Sequence, residues 1–566
     1  MPAAPEKPLP PYDPYNQPPP WWKGREDRLW AVAVGVLTAV LTVVSFPPLD
    51  APEFAYAFAV PAILWAYRRP PFRLYAGTLL AAQAVAWATL LWWLHHVTWA
   101  GPFLLGPVVG AWVGSWYLAV WWAAPRLAGR AAAVRLLVML GLAGVWVVIE
   151  WTRTWLLGGF PWLPLAASQW QRTSLLQIAA FTGAYGVSFV LIAANLGFAA
   201  VSHSLFHDRQ TGWRLRRPEF LLALFLLMVC VSVQVQEAFN TARFSRKLAD
   251  VGFVSPNIPQ AIKWDPARGP EILRTLERVT LLAAATRPEL ILWPEASTPW
   301  AVLGDERSRD WIQYLDARLR VPLVLGSIVI ERPGGPGEAW YNGVVAVTPD
   351  GGVQPAFYAK RHLVPFGEYV PLRPILGWVL SKTVPVGPDD FDRGRSAAPL
   401  MVPLPAGPLA VGPLVCFEDG FPGLARDDVR AGADCLFVAV NNAWYGEGGV
   451  ALQHAAHSVL RAVENRRPVL RCSNDGWNGW IDEFGAIRGV LANEAGSIYY
   501  RGAQTFPVRR DARWINRQSY YTLHGDWFVA VCAAIAALGW LALRTAGPVA
   551  PAAGDTPEHP QPIAGL

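Results

Sequence analysis

The sequence predicts a polytopic α-helical membrane protein of about eight spans that carries an α/β sandwich domain outside the cytoplasm. Three observations lead there. Of 566 residues, 53% are hydrophobic and only 16% charged, against roughly 25% charged in an ordinary soluble domain. Eight apolar stretches approach the about 20 residues that a helix needs to cross a hydrocarbon core. Between the last two, from residue 249 onward, the hydrophobic period changes to short β-rich runs alternating with helical patterns.

The expected spans are 30–48, 53–67, 74–94, 102–124, 133–152, 176–201, 219–237 and, at the far end, 526–543. The second is short and contains Pro61, which reads as a buried or tilted span. Orientation follows from the loops, because Lys and Arg accumulate on the cytoplasmic side. Basic clusters stand before the first span (Lys23, Arg25, Arg28), after the second (Arg68, Arg69, Arg73), after the fourth (Arg126, Arg130, Arg135) and after the sixth (Arg209, Arg214, Arg216, Arg217), while Arg153 and Arg172 are the exceptions in the alternate loops. That places the N-terminus inside and the region 238–525 outside. Residues 1–237 hold 16 Lys and Arg against 10 Asp and Glu, which is the whole formal charge of +6. A basic excess confined to the hydrophobic part argues against a nucleic-acid partner. The resulting division is a disordered cytoplasmic tail over 1–29, a seven-span domain over 30–237, an outward domain over 238–525, a final span over 526–545, and a second disordered tail over 546–566. The breaker-rich loop GGFPWLP over 158–164 reads as a hairpin at the membrane surface or as an interfacial aromatic belt.

In the outward domain, β-rich runs at 251–255, 290–293, 322–329, 342–347, 409–417, 435–440 and 469–472 alternate with helical patterns near 270–286, 306–319, 421–431 and 450–465. This is a layered α/β pattern, and about 290 residues suffice to bury a core without disulfides. Of the five cysteines, Cys435 and Cys472 read as buried free thiols and Cys230 and Cys532 as membrane-core residues. His454 and His457 share one helical face, but without a third ligand nearby they read as structural, and no metal is expected.

Three strand ends carry chemistry. LILWPE over 290–295 ends an apolar strand in a carboxylate, YAKRHLVPFGE over 358–368 presents Lys360 and Glu368, and LAVGPLVCFEDG over 409–420 delivers Cys416 just before a helix. A thiol with a reference pKa of about 8.5 must lose its proton to become a nucleophile. A carboxylate is a weak base in water, so the reading requires a water-poor site that brings Glu295 close to Cys416. Lys360 then compensates the thiolate and, with the backbone N–H of Phe417, the oxyanion that forms on an attacked carbonyl.

Together these positions resemble the carbon–nitrogen hydrolase, or nitrilase-superfamily, domain, whose Glu, Lys and Cys triad falls on Glu295, Lys360 and Cys416. With seven spans before it and one after, and with NIPQAIKW over 257–264, HLVPFGE over 362–368 and GFPW over 159–162, nearly the whole chain resembles the apolipoprotein N-acyltransferase family of the bacterial inner membrane. Phe417 stands where that family often has Tyr. The resemblance implies a nitrilase-like αββα sandwich on the extracytoplasmic face. It also implies a two-step acyl transfer without cofactor: Cys416 takes an acyl chain from a phospholipid, expected to be phosphatidylethanolamine, and passes it as an amide to the N-terminal diacylglyceryl-cysteine of an apolipoprotein. It further implies that Glu368 and Glu418 hold Lys360 and the acyl intermediate, and that Trp264 lines the pocket; Asn442, Trp444 and Tyr445 follow a strand end and are expected to do likewise. Apolar residues 374–380 and 384–387 read as a lid dipping into lipid. Two other readings compete: a membrane-anchored nitrilase-type amidohydrolase, in which water resolves the acyl-cysteine, and a transporter or lipid-binding scaffold, disfavoured because few charged residues fall within the spans.

Overall fold

A computed structural model describes residues 21–207, 217–371, 373 and 390–545. The expected lid, residues 374–380 and 384–387, and most of both tails lie outside these residues. The first helix begins at Trp21, inside the stretch assigned to the N-terminal tail, and runs to Val44.

Six described helices are long and apolar enough to cross a membrane: Gly24–Val44, Ala100–Leu127, Ala132–Thr152, Ala184–Leu205, Pro218–Phe239 and Trp527–Thr545. Two of the eight expected spans are not among them. Segment 53–67 divides into a 3₁₀ turn, Pro52–Tyr56, and an eight-residue helix, Val60–Tyr67, which Pro61 opens. At 1.5 Å per residue that helix is about 12 Å long, too short to cross a bilayer alone, and it packs on the Ala184–His207 helix. The Phe72–Leu90 helix is less apolar; Gln83 lies buried in it and donates to Thr42 Oγ1 of the first helix at 3.1 Å. The expected start at 176 is early by eight residues, about two turns, since Gly183, at φ 69°, separates short helices from the Ala184–His207 helix.

Small residues let these helices touch. A Cβ on Gly110 would lie 2.5 Å from Gln83 O, and one on Gly144 would lie 2.5 Å from Cys532 O. The second contact joins the Ala132–Thr152 helix to the final helix, Trp527–Thr545, so the chain leaves the bundle, builds its sandwich domain and returns to the same helices. Without a hydrophobic force between lipid-solvated helices, such close backbone packing carries the association.

The sandwich domain begins without a linker. The Pro218–Phe244 helix runs directly into β1 (Ser245–Ser255). Then come β2 (Leu290–Trp293), β3 (Leu323–Glu331), β4 (Ala339–Thr348), β5 (Gly352–Ala359), β6 (Leu400–Val402), β7 (Leu409–Val415), β8 (Cys435–Val440), β9 (Val469–Ser473), β10 (Gly479–Ile481), β11 (Ile487–Val490) and β12 (Gly502–Asp511). They form two six-stranded sheets, ordered β12-β1-β2-β3-β4-β5 and β11-β10-β9-β8-β7-β6. In each sheet the central trio, β1-β2-β3 and β7-β8-β9, is parallel and the outer strands are antiparallel. Strands β2, β7 and β8 are buried along their whole length, as parallel strands covered on both faces must be.

Helices Gly269–Ala284 and Glu306–Leu319 cover one sheet; Pro422–Arg430 and Val450–Asn465 cover the other. The Val450–Asn465 helix is buried on nearly every side. Its outer face, which an isolated domain would leave to water, rests on segments 165–169 and 179–182 of the membrane part. All five cysteines are buried and free.

Candidate active site

The parallel strands of both sheets end toward one another, and the expected triad sits on those ends. Strand β2 stops at Trp293, Pro294 contributes no N–H, and Glu295 follows, its own N–H 3.4 Å from Val440 O at the end of β8. Gly326 of β3 lets this turn pass: a Cβ there would lie 2.6 Å from Pro294 O and 2.7 Å from Glu295 Cα. Lys360 leaves β5, with its N–H on Asn342 O at 2.8 Å. Cys416 leaves β7. The strand expected to run to 417 stops at Val415, because Cys416 turns into the left-handed region at φ 53° and opens a 3₁₀ turn. For a residue with a Cβ that conformation is strained, and the surroundings hold it.

Lys360, Glu295 and Cys416 are 1%, 7% and 6% exposed. The Lys360 ammonium donates to Glu368 Oε1 at 2.8 Å and lies 3.7 Å from Glu295 Oε1. Asn342 Nδ2 stands 2.8 Å from both of those carboxylate oxygens, so one amide ties the two acids together. Burial acts to lower the Lys360 pKa, but the charges of Glu368, Glu295 and Cys416 outweigh it and hold the ammonium well above its ordinary value. Burial pushes the Cys416 thiol well up; the Glu295 charge adds to this and the Lys360 charge opposes it. The resting state is therefore a neutral thiol beside a lysinium shared by two acids.

The supporting positions divide. Glu368 touches Lys360 and also accepts from Val364 N at 2.8 Å. Glu418 makes no hydrogen bond to Lys360; it accepts from Tyr358 OH, Arg361 N, His362 N and Val415 N at 2.6 to 2.9 Å, stapling the loop after Lys360 to β7. Trp264, expected to line the pocket, is 48% exposed after the short Gln260–Lys263 helix. Asn442 is buried against His454, Trp444 is exposed, and Tyr445 packs edge-on to Trp93 at 4.7 Å.

Several contributors were not assigned to the site from the sequence, which read His454 and His457 as structural and loop 158–164 as a surface hairpin or aromatic belt. His454 Nε2 lies 3.0 Å from Cys416 O and 3.0 Å from Asp419 Oδ1, so it pins the strained nucleophile's backbone. Asp419 is in turn held by Arg471 Nη1 and Ser458 Oγ at 2.8 and 2.7 Å. His457 Nε2 accepts from Leu163 N at 3.3 Å. Loop 158–164 lays its aromatics on the sandwich domain: Trp162 is buried, stacks on Phe417 at 6.3 Å and lies 5.3 Å from the His454 ring, while Phe160 is 5.9 Å from Phe417. Arg153 Nη2, which donates to Trp162 O, and Glu150, which accepts from Leu165 N at 2.6 Å, hold that loop from the end of the Ala132–Thr152 helix. The bonded partner in each case lies on a different element.

Residues 38–197 match the family model described as apolipoprotein N-acyltransferase N-terminal domain, and residues 257–514 match that of the carbon-nitrogen hydrolases. A Geobacter metallireducens protein named apolipoprotein N-acyltransferase is 34% identical to this chain, over 91% of the chain and 94% of that protein. Proteins of the same name from Gloeobacter violaceus and Azotobacter vinelandii are 31% and 32% identical, over 88% and 64% of this chain and 91% and 66% of their own lengths.

Proposed function

The chain belongs to the apolipoprotein N-acyltransferase family, and from that premise we propose that this multi-pass membrane acyltransferase moves an acyl chain from a phospholipid, through Cys416, to the N-terminal amine of a diacylated apolipoprotein. The observation that carries the reading is the lysinium of Lys360, buried between Glu295 and Glu368 with its charge acting on the Cys416 thiol.

In the first step Glu295 takes the Cys416 proton as Sγ attacks the ester carbonyl. Lys360 and the Phe417 N–H stabilise the oxyanion. Collapse breaks the ester C–O bond, the leaving alkoxide takes the proton from Glu295, and a lysophospholipid departs from the thioester. In the second step the α-amine attacks the thioester; Glu295 accepts its proton and returns it to the departing thiolate, so an amide forms and the resting thiol is restored. Phosphatidylethanolamine is the proposed donor. The bacterial inner membrane is the proposed location, with the sandwich on its extracytoplasmic face, because basic loops alternate along the chain as the cytoplasmic side requires. A pocket at the bilayer interface suits two lipid-anchored substrates, and spans on both sides of the sandwich hold it there. A soluble amidase has no use for that tether.

The test is mass spectrometry of the purified protein after incubation with phosphatidylethanolamine, wild type against Cys416→Ala, followed by a diacylated lipopeptide. The expected result is an acyl mass on the peptide containing Cys416 that is then lost to the lipopeptide as an amide. A thioester that decays only to free fatty acid supports the hydrolase instead, and the absence of any adduct overturns the assignment of Cys416.

A further inference from the structure

Gln453 sits in the first turn of the Val450–Asn465 helix and is 1% exposed. Its Oε1 accepts from Trp93 Nε1 at 3.1 Å and from Trp162 Nε1 at 2.9 Å; its Nε2 donates to Pro47 O at 3.1 Å and Leu90 O at 3.0 Å. A primary amide has two donor hydrogens and two acceptor lone pairs, so every one is used. The four partners come from the turn after the first helix, the end of the Phe72–Leu90 helix, the 3₁₀ turn Trp92–His96, and loop 158–164. One side chain of the outward domain thus gathers four segments of the membrane part. Two of its neighbours lead straight to the nucleophile. Trp162, whose indole Gln453 holds, stacks on Phe417, the residue after Cys416. His454, next in sequence, grips Cys416 O.

We propose that Gln453 is a positioning residue for acyl transfer: it fixes the Trp162 indole against Phe417, so that the geometry around Cys416 depends on the docked membrane helices. The inference rests on the acyl-transfer reading of Cys416. Trp162 is the link because its ring stacks on the ring of Phe417, the residue whose backbone N–H is assigned to the oxyanion. Leucine at 453 keeps the bulk but leaves two indole N–H groups and two carbonyls without partners, a large penalty in a buried place. The ring of Trp162 then loses its anchor. Misplacement by about 1 Å is enough to cost roughly a hundredfold in rate.

A merely structural glutamine would affect folding without a specific link to Trp162, and a double-mutant cycle separates the two. The measured quantity is the rate of thioester formation on Cys416 of the full chain in detergent micelles containing phosphatidylethanolamine. The variants are Gln453→Leu, Trp162→Phe, which keeps a ring but loses the N–H, and the pair together; Trp93→Phe removes the other indole N–H but keeps a ring where Trp93 packs on Trp162 at 5.3 Å. Expected are losses of about ten- to a hundredfold in kcat for both single variants, unchanged KM for the donor, a double variant no slower than the slower single one, and Trp93→Phe within about twofold of wild type. Losses that multiply in the double variant, a Gln453→Leu protein that acylates normally, or a Trp93→Phe protein as slow as Trp162→Phe would overturn the proposal. If Gln453→Leu fails to fold, Gln453→Glu replaces it in the cycle, since it keeps the acceptor toward both indoles and loses the donors to Pro47 and Leu90; it is expected to slow acylation less than Trp162→Phe, and an equal or larger loss counts against the proposal. A wild-type protein that forms no thioester fails the acyl-transfer reading itself, which the variants alone cannot do.

Discussion

Lys360 Nζ lies 2.8 Å from Glu368 Oε1 and is fully buried, whereas Glu295 Oε1 stands 3.7 Å from the same nitrogen. The cation is shared unequally. Glu368 takes the close contact and Glu295 the looser hold on the lysine, while the Asn342 amide donates to both acids equally. The acid assigned to proton transfer is therefore the one less tightly neutralised.

Glu368→Gln tests that division of labour. A neutral amide of the same shape removes one of two countercharges, so Lys360 draws toward Glu295 and weakens it as a base. Thioester formation is expected to fall about a hundredfold with the fold intact, as followed by acyl mass on Cys416 and by thermal unfolding. Lys360→Met differs: it leaves two buried carboxylates without their cation, at a cost of about 3–5 kcal/mol in stability, and the unfolding midpoint drops with the activity.

Acid should loosen the junction between the two parts. Burial lowers His457 to about 3, and burial with the charges of Arg393 and Lys360 lowers His362 to about 4. Both are neutral when folded and bind a proton more readily when unfolded. Their contribution is present above about pH 6.5 and is lost as pH falls toward the folded values, at roughly 1 kcal/mol per unit for each. The unfolding midpoint in detergent is expected to fall between pH 7 and pH 5. His457→Gln, which keeps an acceptor for Leu163 N, should flatten that slope, and an unchanged slope would count against the assignment.

Burial explains which parts of this architecture the sequence revealed. LILW, LAVGPLV and CLFVAV are continuous apolar runs because both faces of β2, β7 and β8 are covered. β5 and β12 escaped because they are edge strands carrying Pro355 and Pro507, with exposed residues between buried ones. Segment 53–67 read as a span because composition reports apolarity, while the position of Pro61 decides helix length. Glu295, Lys360 and Cys416 stood out as reactive types at strand ends. Asn342 looked like any polar strand residue, and Gln453 meets Trp162 across 291 positions, a pairing that no local pattern encodes.

Gly326→Ala probes how finely the Glu295 turn is set. The added methyl would press on Pro294 O and Glu295 Cα, both backbone atoms at under 3 Å, so the turn itself must move. Overpacking of this kind costs about 1–3 kcal/mol, and displacing the carboxylate is expected to slow thioester formation more than the stability loss explains. Measuring both in one preparation decides: activity that merely tracks the folded fraction would mean the turn tolerates the shift.

Glu295→Gln should move two readouts of the same sulfur in opposite directions. The negative charge of Glu295 is, after burial, the largest influence raising the Cys416 thiol, and Lys360 acts against it. Removing that charge leaves the lysinium as the dominant neighbour, so the thiol becomes more acidic and a larger fraction is thiolate at pH 8. Alkylation by iodoacetamide, which needs only a thiolate, is expected to speed up. Acylation also needs a group that takes the proton and then hands it to the leaving alkoxide, and an amide does neither; thioester formation is expected to fall by about a thousandfold or more. If alkylation and acylation fall together, Glu295 acts chiefly by holding the site in shape. If acylation survives, the proton goes elsewhere, and Glu368, on the far side of the same lysine, becomes the base to examine.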